Sequence, residues 1–333
     1  MIISRTPFRL PLGGGGTDLP SYYSRYGGYV ITAAIDKYMH IAVNRMFEDK
    51  IRVSYSVTEI VDSPEKIRHP VVREALKNTG IDRHIEIVSI ADAPASTGLG
   101  SSGSFAVGLL NALYAYRGVH KTARELAEEA CDIAMNKLKE PSGKQDEYIA
   151  AHGGIKVLEI AKDGHVDVKE LKLDQEVISE LEHNVLMFYT GIKRDASEVL
   201  REQQSRIANS SKDEKNDEDV VERMHRIKSI GVEIGKALQN GELTRFGELL
   251  HEHWIAKRGV SSKMSNDRID RWCEIARRNG AIGEKLVGAG GGGFLMFYCE
   301  NGKHELRKAL AAEGLQEHRF RFDFTGSKII YDV

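Results

Sequence analysis

Cysteine is scarce in these 333 residues: Cys131, Cys273 and Cys299 are scattered and odd in number. They make neither a disulfide frame nor a zinc site, and fit reduced thiols in a cytoplasmic protein. Net charge is nearly absent, −2 from 47 basic and 49 acidic side chains, so no general attraction to nucleic acid or an anionic membrane is expected. No apolar run approaches the ~18–20 residues of a spanning helix. The opening Met1-Ile-Ile-Ser-Arg-Thr-Pro lacks the apolar core of a signal peptide. No internal repeat is visible. What remains is an ordinary soluble composition, 41% hydrophobic and 29% charged, in a chain long enough for two domains.

Glycine, by contrast, is concentrated in three places. The most informative is Pro94 to Ser104, P-A-S-T-G-L-G-S-S-G-S. Alternating Ile85, Ile87, Val88 and Ile90 predict a strand before it; Phe105, Leu109, Leu110, Leu113 and Tyr116 predict a helix after it. Gly98, Gly100 and Gly103 allow close backbone approach, and Ser101 or Ser102 can cap the helix. Free N–H groups and the helix dipole then suit a phosphate, and Ser102 can offer its hydroxyl to magnesium. No Lys sits inside the loop, so it is not the common G-x-x-x-x-G-K-[ST] type, and it is not G-x-G-x-x-G. Taken alone it is equally a Gly/Ser-rich turn before an amphipathic helix.

The second stretch, residues 5–18, reads R-T-P-F-R-L-P-L-G-G-G-G-T-D. Thr17 or Asp18 can cap a short helix through Tyr22, Tyr23 and Tyr26. Ordering Gly13 to Gly16 is entropically expensive, a cost accepted where backbone lies against a ligand. Asp18 can accept hydrogen bonds from a polar ligand such as a sugar. The third stretch, Gly288 to Gly293, lies between Lys285-Leu-Val and the strand-like Phe294 to Tyr298, and can close over a ligand held elsewhere.

Further strands are expected within 28–56, at 155–171 around the Asp163-Gly164 turn, at 185–189 and near 317–324, with helices at 70–78, 122–138, 195–208, 218–238, 242–258 and near 303–312. Thr122 and Glu125 form a capping box. Pro141 and Gly143 end the helix before them, and Asp146 opens a short helix that stops at Gly153-Gly154. Asp146 reads either as an N-terminal capping carboxylate or as a base for a hydroxyl. The run at 210–219 is a solvated loop, and His251 and His253, spaced i, i+2, are not read as ligands.

In order and spacing, the three stretches resemble the GHMP kinases. Arg5, Pro7, Arg9, Gly14, Thr17 and Asp18 match the first motif. Pro94, Gly98, Leu99, Gly100, Ser101 and Ser102 match the second, and Gly288 to Gly292 the third. Within the family, G-G-G-G-T-D-L-P-S-Y-Y, P-S-G-K-Q-D and Y-T-G-I-K-R resemble the bacterial D-glycero-D-manno-heptose 7-phosphate kinases. The resemblance implies an α+β, two-domain fold: a ribosomal protein S5 domain 2-like unit over 1–175 and a ferredoxin-like unit over 176–333. ATP and sugar would lie in the cleft between them.

It further implies that Pro94 and Thr97 to Ser104 hold the ATP phosphates and that Asp146 faces the acceptor hydroxyl. Arg9 would stabilise negative charge there. Gly15, Gly16, Thr17, Asp18, Tyr22, Gly290 and Gly291 would face the sugar. Galactokinases carry a Glu-His pair where Gly15-Gly16 stand, so a wider pocket is expected. Lys193 and Arg194, with Lys144 behind them, are candidates for a distal phosphate. Ser102 would bind Mg2+, but Ala134 stands where a second, glutamate ligand is expected, and neither Asp132 nor Glu129 is an obvious substitute. The implied reaction is phosphorylation of the anomeric hydroxyl of the heptose 7-phosphate, feeding nucleotide-activated heptose for capsule or surface polysaccharide. The alternatives are an anomeric kinase for fucose, a uronic acid or galactose, and a sugar- and ATP-binding protein weakened at Ala134. The oligomeric state is left open, a homodimer included.

Overall fold

The computed structural model describes residues 1–193, 196–209 and 215–333. The chain opens with β1 (Ile2–Gly13), α1 (Pro20–Tyr26), β2 (Gly28–Arg45), β3 (Ile51–Ser54) and β4 (Thr58–Val61). Then come α2 (Pro70–Thr79), β5 (Ile85–Ala91), α3 (Ser101–Tyr116), α4 (Ala123–Cys131), α5 (Gln145–His152), β6 (Ile155–Ile160) and β7 (Val166–Glu170). The second half runs α6 (Gln175–Asn184), β8 (Val185–Tyr189), α7 (Ala196–Asn209), α8 (Lys215–Gln239), α9 (Leu243–Arg258) and α10 (Asp267–Arg278). It ends with β9 (Gly283–Leu286), β10 (Phe294–Tyr298), α11 (Lys303–Ala312), β11 (Gln316–Glu317) and β12 (Lys328–Asp332).

Two sheets result. The first orders β12-β1-β2-β5-β3-β4, with β6 and β7 extending from β2; β3 and β5 run parallel. The second is antiparallel, β11-β8-β10-β9. β1 was not foreseen, because Pro7 and Pro11 argue against a strand. The ladder with β2 slips beside each of them, between Pro7 and Phe8 and between Pro11 and Gly13. A proline lacks the ladder N–H, so it is accommodated at bulges.

α3 is apolar nearly all round and packs on β1 and β2 with Leu109, Leu110 and Leu113 fully buried. Burying each such side chain stabilises by about 1.5–3 kcal/mol. Gly108 sets the close approach: a Cβ there would sit 2.7 Å from Thr6 Oγ1. A long helix of the second half, α8, also leans on the first sheet. Gly13 lies so close that a Cβ would meet Ile234 Cδ1 at 3.0 Å and Gly231 Cα at 3.2 Å. The two halves therefore share one hydrophobic core, which includes Leu10, Ile31, Ile234 and Phe246. A second core forms under the antiparallel sheet around Phe188, Trp254, Leu295 and Phe297.

Three expectations change. The helix expected over 122–138 keeps its capping box at Thr122 but becomes a π-turn over Asp132–Lys137, with Leu138 N bonded to Ile133 O. The strand expected near 317–324 shrinks to β11 and a single bridge, Ile35 to Phe322. The last strand, β12, pairs with β1, so the expected 176–333 unit keeps its own sheet but gives its final strand to the first. α6 and α10 were not foreseen.

Candidate active site

A cavity of about 970 Å³ lies between the halves. Its floor is the loop from Pro94 to Ser102. Gly98 takes φ +86°, and a Cβ there would sit 2.2 Å from Val287 O. The third glycine stretch thus packs directly on the second, and Phe294 N donates to Thr97 O at 3.2 Å. α3 begins at Ser101 with Gly100 as its N-cap in the left-handed region. Neither Ser101 nor Ser102 caps it, contrary to expectation; no side chain does. Its first-turn N–H groups and dipole are therefore open to an anion.

Pro94, Gly98, Gly100, Ser101 and Ser102 line the cavity. Thr97, Leu99, Gly103 and Ser104 support it from behind. Leu99 O accepts from Arg9 N, and Ser104 Oγ donates to Pro7 O. A Cβ on Gly103 would sit 2.8 Å from Asp146 Cβ.

Arg9 and Asp146 meet as expected, although 137 residues separate them. Arg9 Nε donates to Asp146 Oδ1 at 2.7 Å and Nη2 to Oδ2 at 2.9 Å. This is a bidentate, charge-assisted pair. Arg9 also donates through Nη1 to Gly98 O. The guanidinium is buried by the strand and the loop, whereas Asp146 keeps part of its carboxylate exposed to the cavity.

Asp18 has a structural task besides the sugar contact expected of it. It does not cap α1, whose N-cap is Leu19. Its Oδ2 accepts from Lys144 N at 3.0 Å and Gln145 N at 3.1 Å, the start of α5. Its Oδ1 accepts from Gly16 N. Asp18 thus ties the first glycine stretch to the helix that carries Asp146, while still lining the cavity beside Gly15 and Gly16. Gly143 is required there, since a Cβ would fall 2.0 Å from Asp18 Oδ2.

Other expected sugar contacts lie elsewhere. Thr17 is fully buried, donating to Gly14 O and Tyr29 O and accepting from Tyr29 N. Tyr22 is buried with its hydroxyl on His225 Nδ1. Gly290 and Gly291 pack on Met264, Gly291 N donating to Met264 O; Gly288 and Ala289 line the cavity instead. Lys144 Nζ turns to Gly164 O and the Tyr23 ring. Lys193 is exposed and off the cavity wall. Arg194 lies outside the described residues.

Sequence reasoning missed four wall residues. Lys257 is buried, its Nζ donating to Gly15 O at 3.0 Å and reaching Gln203 Oε1 at 3.4 Å. Burial lowers its pKa to about 8, opposed by Asp18. Lys285 and His253 are buried too, and both are pushed well below their usual values, first by burial and then by the neighbouring cations. Glu147, beside Asp146, is pushed up to about 8 by burial and then by the Asp146 charge. The signal available was only Lys285 before the third glycine stretch.

Models of the GHMP kinase N-terminal domain and C-terminal domain match residues 66–154 and 236–317. The chain belongs to the GHMP kinases. A GHMP kinase is an ATP-dependent kinase. This GHMP kinase is 29% identical to a D-glycero-alpha-D-manno-heptose 7-phosphate kinase of Campylobacter jejuni, covering 98% of each chain. It is 24% identical to an L-fucokinase/L-fucose-1-P guanylyltransferase of Bacteroides fragilis, covering 97% of this chain and 37% of that one. Its fold matches a D-glycero-D-manno-heptose 1-phosphate kinase of Bacteroides thetaiotaomicron at TM-score 0.81, 24% identical and covering all of both chains. No helix among the described residues is long and apolar enough to cross a membrane.

Proposed function

We propose that this chain transfers the γ-phosphate of ATP to the anomeric C1 hydroxyl of D-glycero-D-manno-heptose 7-phosphate in the cytoplasm. The product is the 1,7-bisphosphate, a precursor for nucleotide-activated heptose. The observation that carries the reading is the Arg9–Asp146 pair facing the phosphate floor in a cavity wide enough for a seven-carbon sugar. The full-length likeness to a heptose 7-phosphate kinase supports the choice of sugar.

Asp146 receives the C1 hydroxyl proton while the C1 oxygen–phosphorus bond forms. The bond from γ-phosphorus to the β-phosphate oxygen breaks, and ADP leaves. Arg9 holds the carboxylate by two bonds, so its orientation is set before substrate arrives. The α3 N-terminus and the loop N–H groups take the phosphate charge.

The donor set fits magnesium. Ala134 lines the cavity with no side-chain oxygen to give, but Glu147 lines it too, with a buried Oε2 that has no partner among the described residues. Ser102 and Glu147 would hold the ion, and ATP oxygens and water would complete its shell. The ion would supply charge neutralisation at the phosphates. In this reading the carboxylate expected at 134 is supplied from α5.

The test is ATP consumption with magnesium over a panel of sugars with and without a terminal phosphate. Turnover of the heptose 7-phosphate well above the free heptose is the expected result. Turnover confined to fucose, galactose or a uronic acid overturns the choice of sugar, and binding of ATP and sugar without turnover overturns the kinase assignment for this chain.

A further inference from the structure

His253 and Lys257 project from α9, and Lys285 from β9, into one wall of the cavity. All three are more than nine-tenths buried. Lys285 Nζ and both ring nitrogens of His253 have no hydrogen-bond partner among the described residues. Among the described residues Lys257 bonds to the neutral oxygens of Gly15 and Gln203, with Asp18 the nearby negative charge but not a bonded partner. Gly16 is shaped around that ammonium, for a Cβ there would sit 2.5 Å from Lys257 Nζ. Buried polar groups are ordinarily paired, and a desolvated ammonium without a counter-charge is costly. Three such groups converging on one cavity describe a site that becomes satisfied when an anion enters.

We propose that His253, Lys257 and Lys285 form a phosphomonoester site for the distal phosphate of the sugar, separate from the loop that holds the ATP phosphates. The site rests on the sugar-phosphate reading above. Two features separate it from the nucleotide. In that reading the ATP phosphates take the uncapped α3 N-terminus and the glycine loop. Lys257, in turn, is bonded to Gly15, in the first motif, across the cavity wall that also carries Asp18. A hexose without phosphate offers no anion to this wall. Of the cations expected for this task, Lys144 bonds to Gly164 O and Lys193 lines no part of the cavity, while Arg194 lies outside the described residues.

The test compares the parent protein with Lys257→Met and Lys285→Met, and with Lys257→Arg and Lys285→Arg. Steady-state kinetics are run on heptose 7-phosphate and on free heptose, with KM for ATP measured alongside. Each Met variant is expected to reduce the preference for the 7-phosphate about 10- to 100-fold, the weight of a charged hydrogen bond. KM for ATP should stay within about twofold, and the Arg variants should recover part of the preference. A rise in KM for ATP with the preference intact overturns the site in favour of a nucleotide-phosphate role. If the Met variants do not fold, Arg variants with unchanged KM for the 7-phosphate and lost ATP affinity overturn it equally. If the parent turns over no heptose phosphate, the choice of sugar fails. Calorimetry with inorganic phosphate then decides the site: phosphate binding lost in the Lys variants sustains it, and equal binding in parent and variants removes it.

Discussion

The two walls of the cavity are built on opposite principles. On the N-terminal wall the working charges are already paired: Arg9 holds Asp146 by two bonds, and Asp18 holds the start of α5 by two more. On the C-terminal wall Lys285 and His253 are buried with their nitrogens unused among the described residues. The first wall is preorganised for chemistry, because catalytic geometry must exist before substrate binds. The second is left incomplete, because a site for an anion gains its specificity when that anion supplies the missing charge.

The largest effect should come from breaking the first wall. Asp146→Asn keeps the shape and loses the proton acceptor, so kcat should fall about 10²–10⁴-fold, the usual weight of a general base. Steady-state kinetics beside an unchanged circular dichroism spectrum measure this. A loss under threefold would remove Asp146 from the base role. Gly98→Ala attacks the seam between the walls. The new Cβ would meet Val287 O, a backbone atom, at φ +86°, a conformation costing about 1–3 kcal/mol for a residue with a side chain. KM for ATP should rise roughly 10- to 100-fold, with a lower unfolding midpoint.

Glu147 bears on the contrast too, since among the described residues it is the acid on the N-terminal wall with an unused buried oxygen. Burial, then the Asp146 charge, raise its pKa from the ordinary 4.5 to about 8, so its contribution is present below about 4.5 and lost as pH rises to 8. Glu147→Gln should therefore be more stable than the parent near pH 8 without magnesium, by a few °C, and indistinguishable near pH 4.5. The same variant should bind magnesium with ATP about tenfold more weakly by calorimetry. Ala134→Glu in that background should restore binding, whereas alone it should change little. A parent midpoint that does not fall relative to the variant as pH rises would mean Glu147 is not held neutral by burial.

How much was legible follows from the same contrast. Motifs that need particular backbone shapes, such as Gly98 and Gly100 against their neighbours, leave a glycine signature that sequence shows. The Arg9–Asp146 meeting came through family likeness to those motifs. Lys257, Lys285 and His253 carry no local pattern. A buried lysine and a surface lysine look alike in sequence, and only the folded packing, such as that of α9 against the first motif, separates them. β1 was hidden because its prolines sit at bulges, and the tie from Asp18 to α5 was hidden because that partner lies 126 residues away.

The smallest expected effect tests that last distinction directly. Lys193 stands in the Y-T-G-I-K-R stretch that resembles the heptose kinases, yet its side chain is exposed and lines no part of the cavity. Lys193→Ala should leave kcat/KM for heptose 7-phosphate within about twofold, since an exposed charge is screened and contributes little to a site it does not line. Raising the salt from 50 to 300 mM should then affect the Ala variant and the parent alike. A tenfold loss, growing at low salt, would place Lys193 at the phosphate in the working enzyme and move the distal anion away from the C-terminal wall.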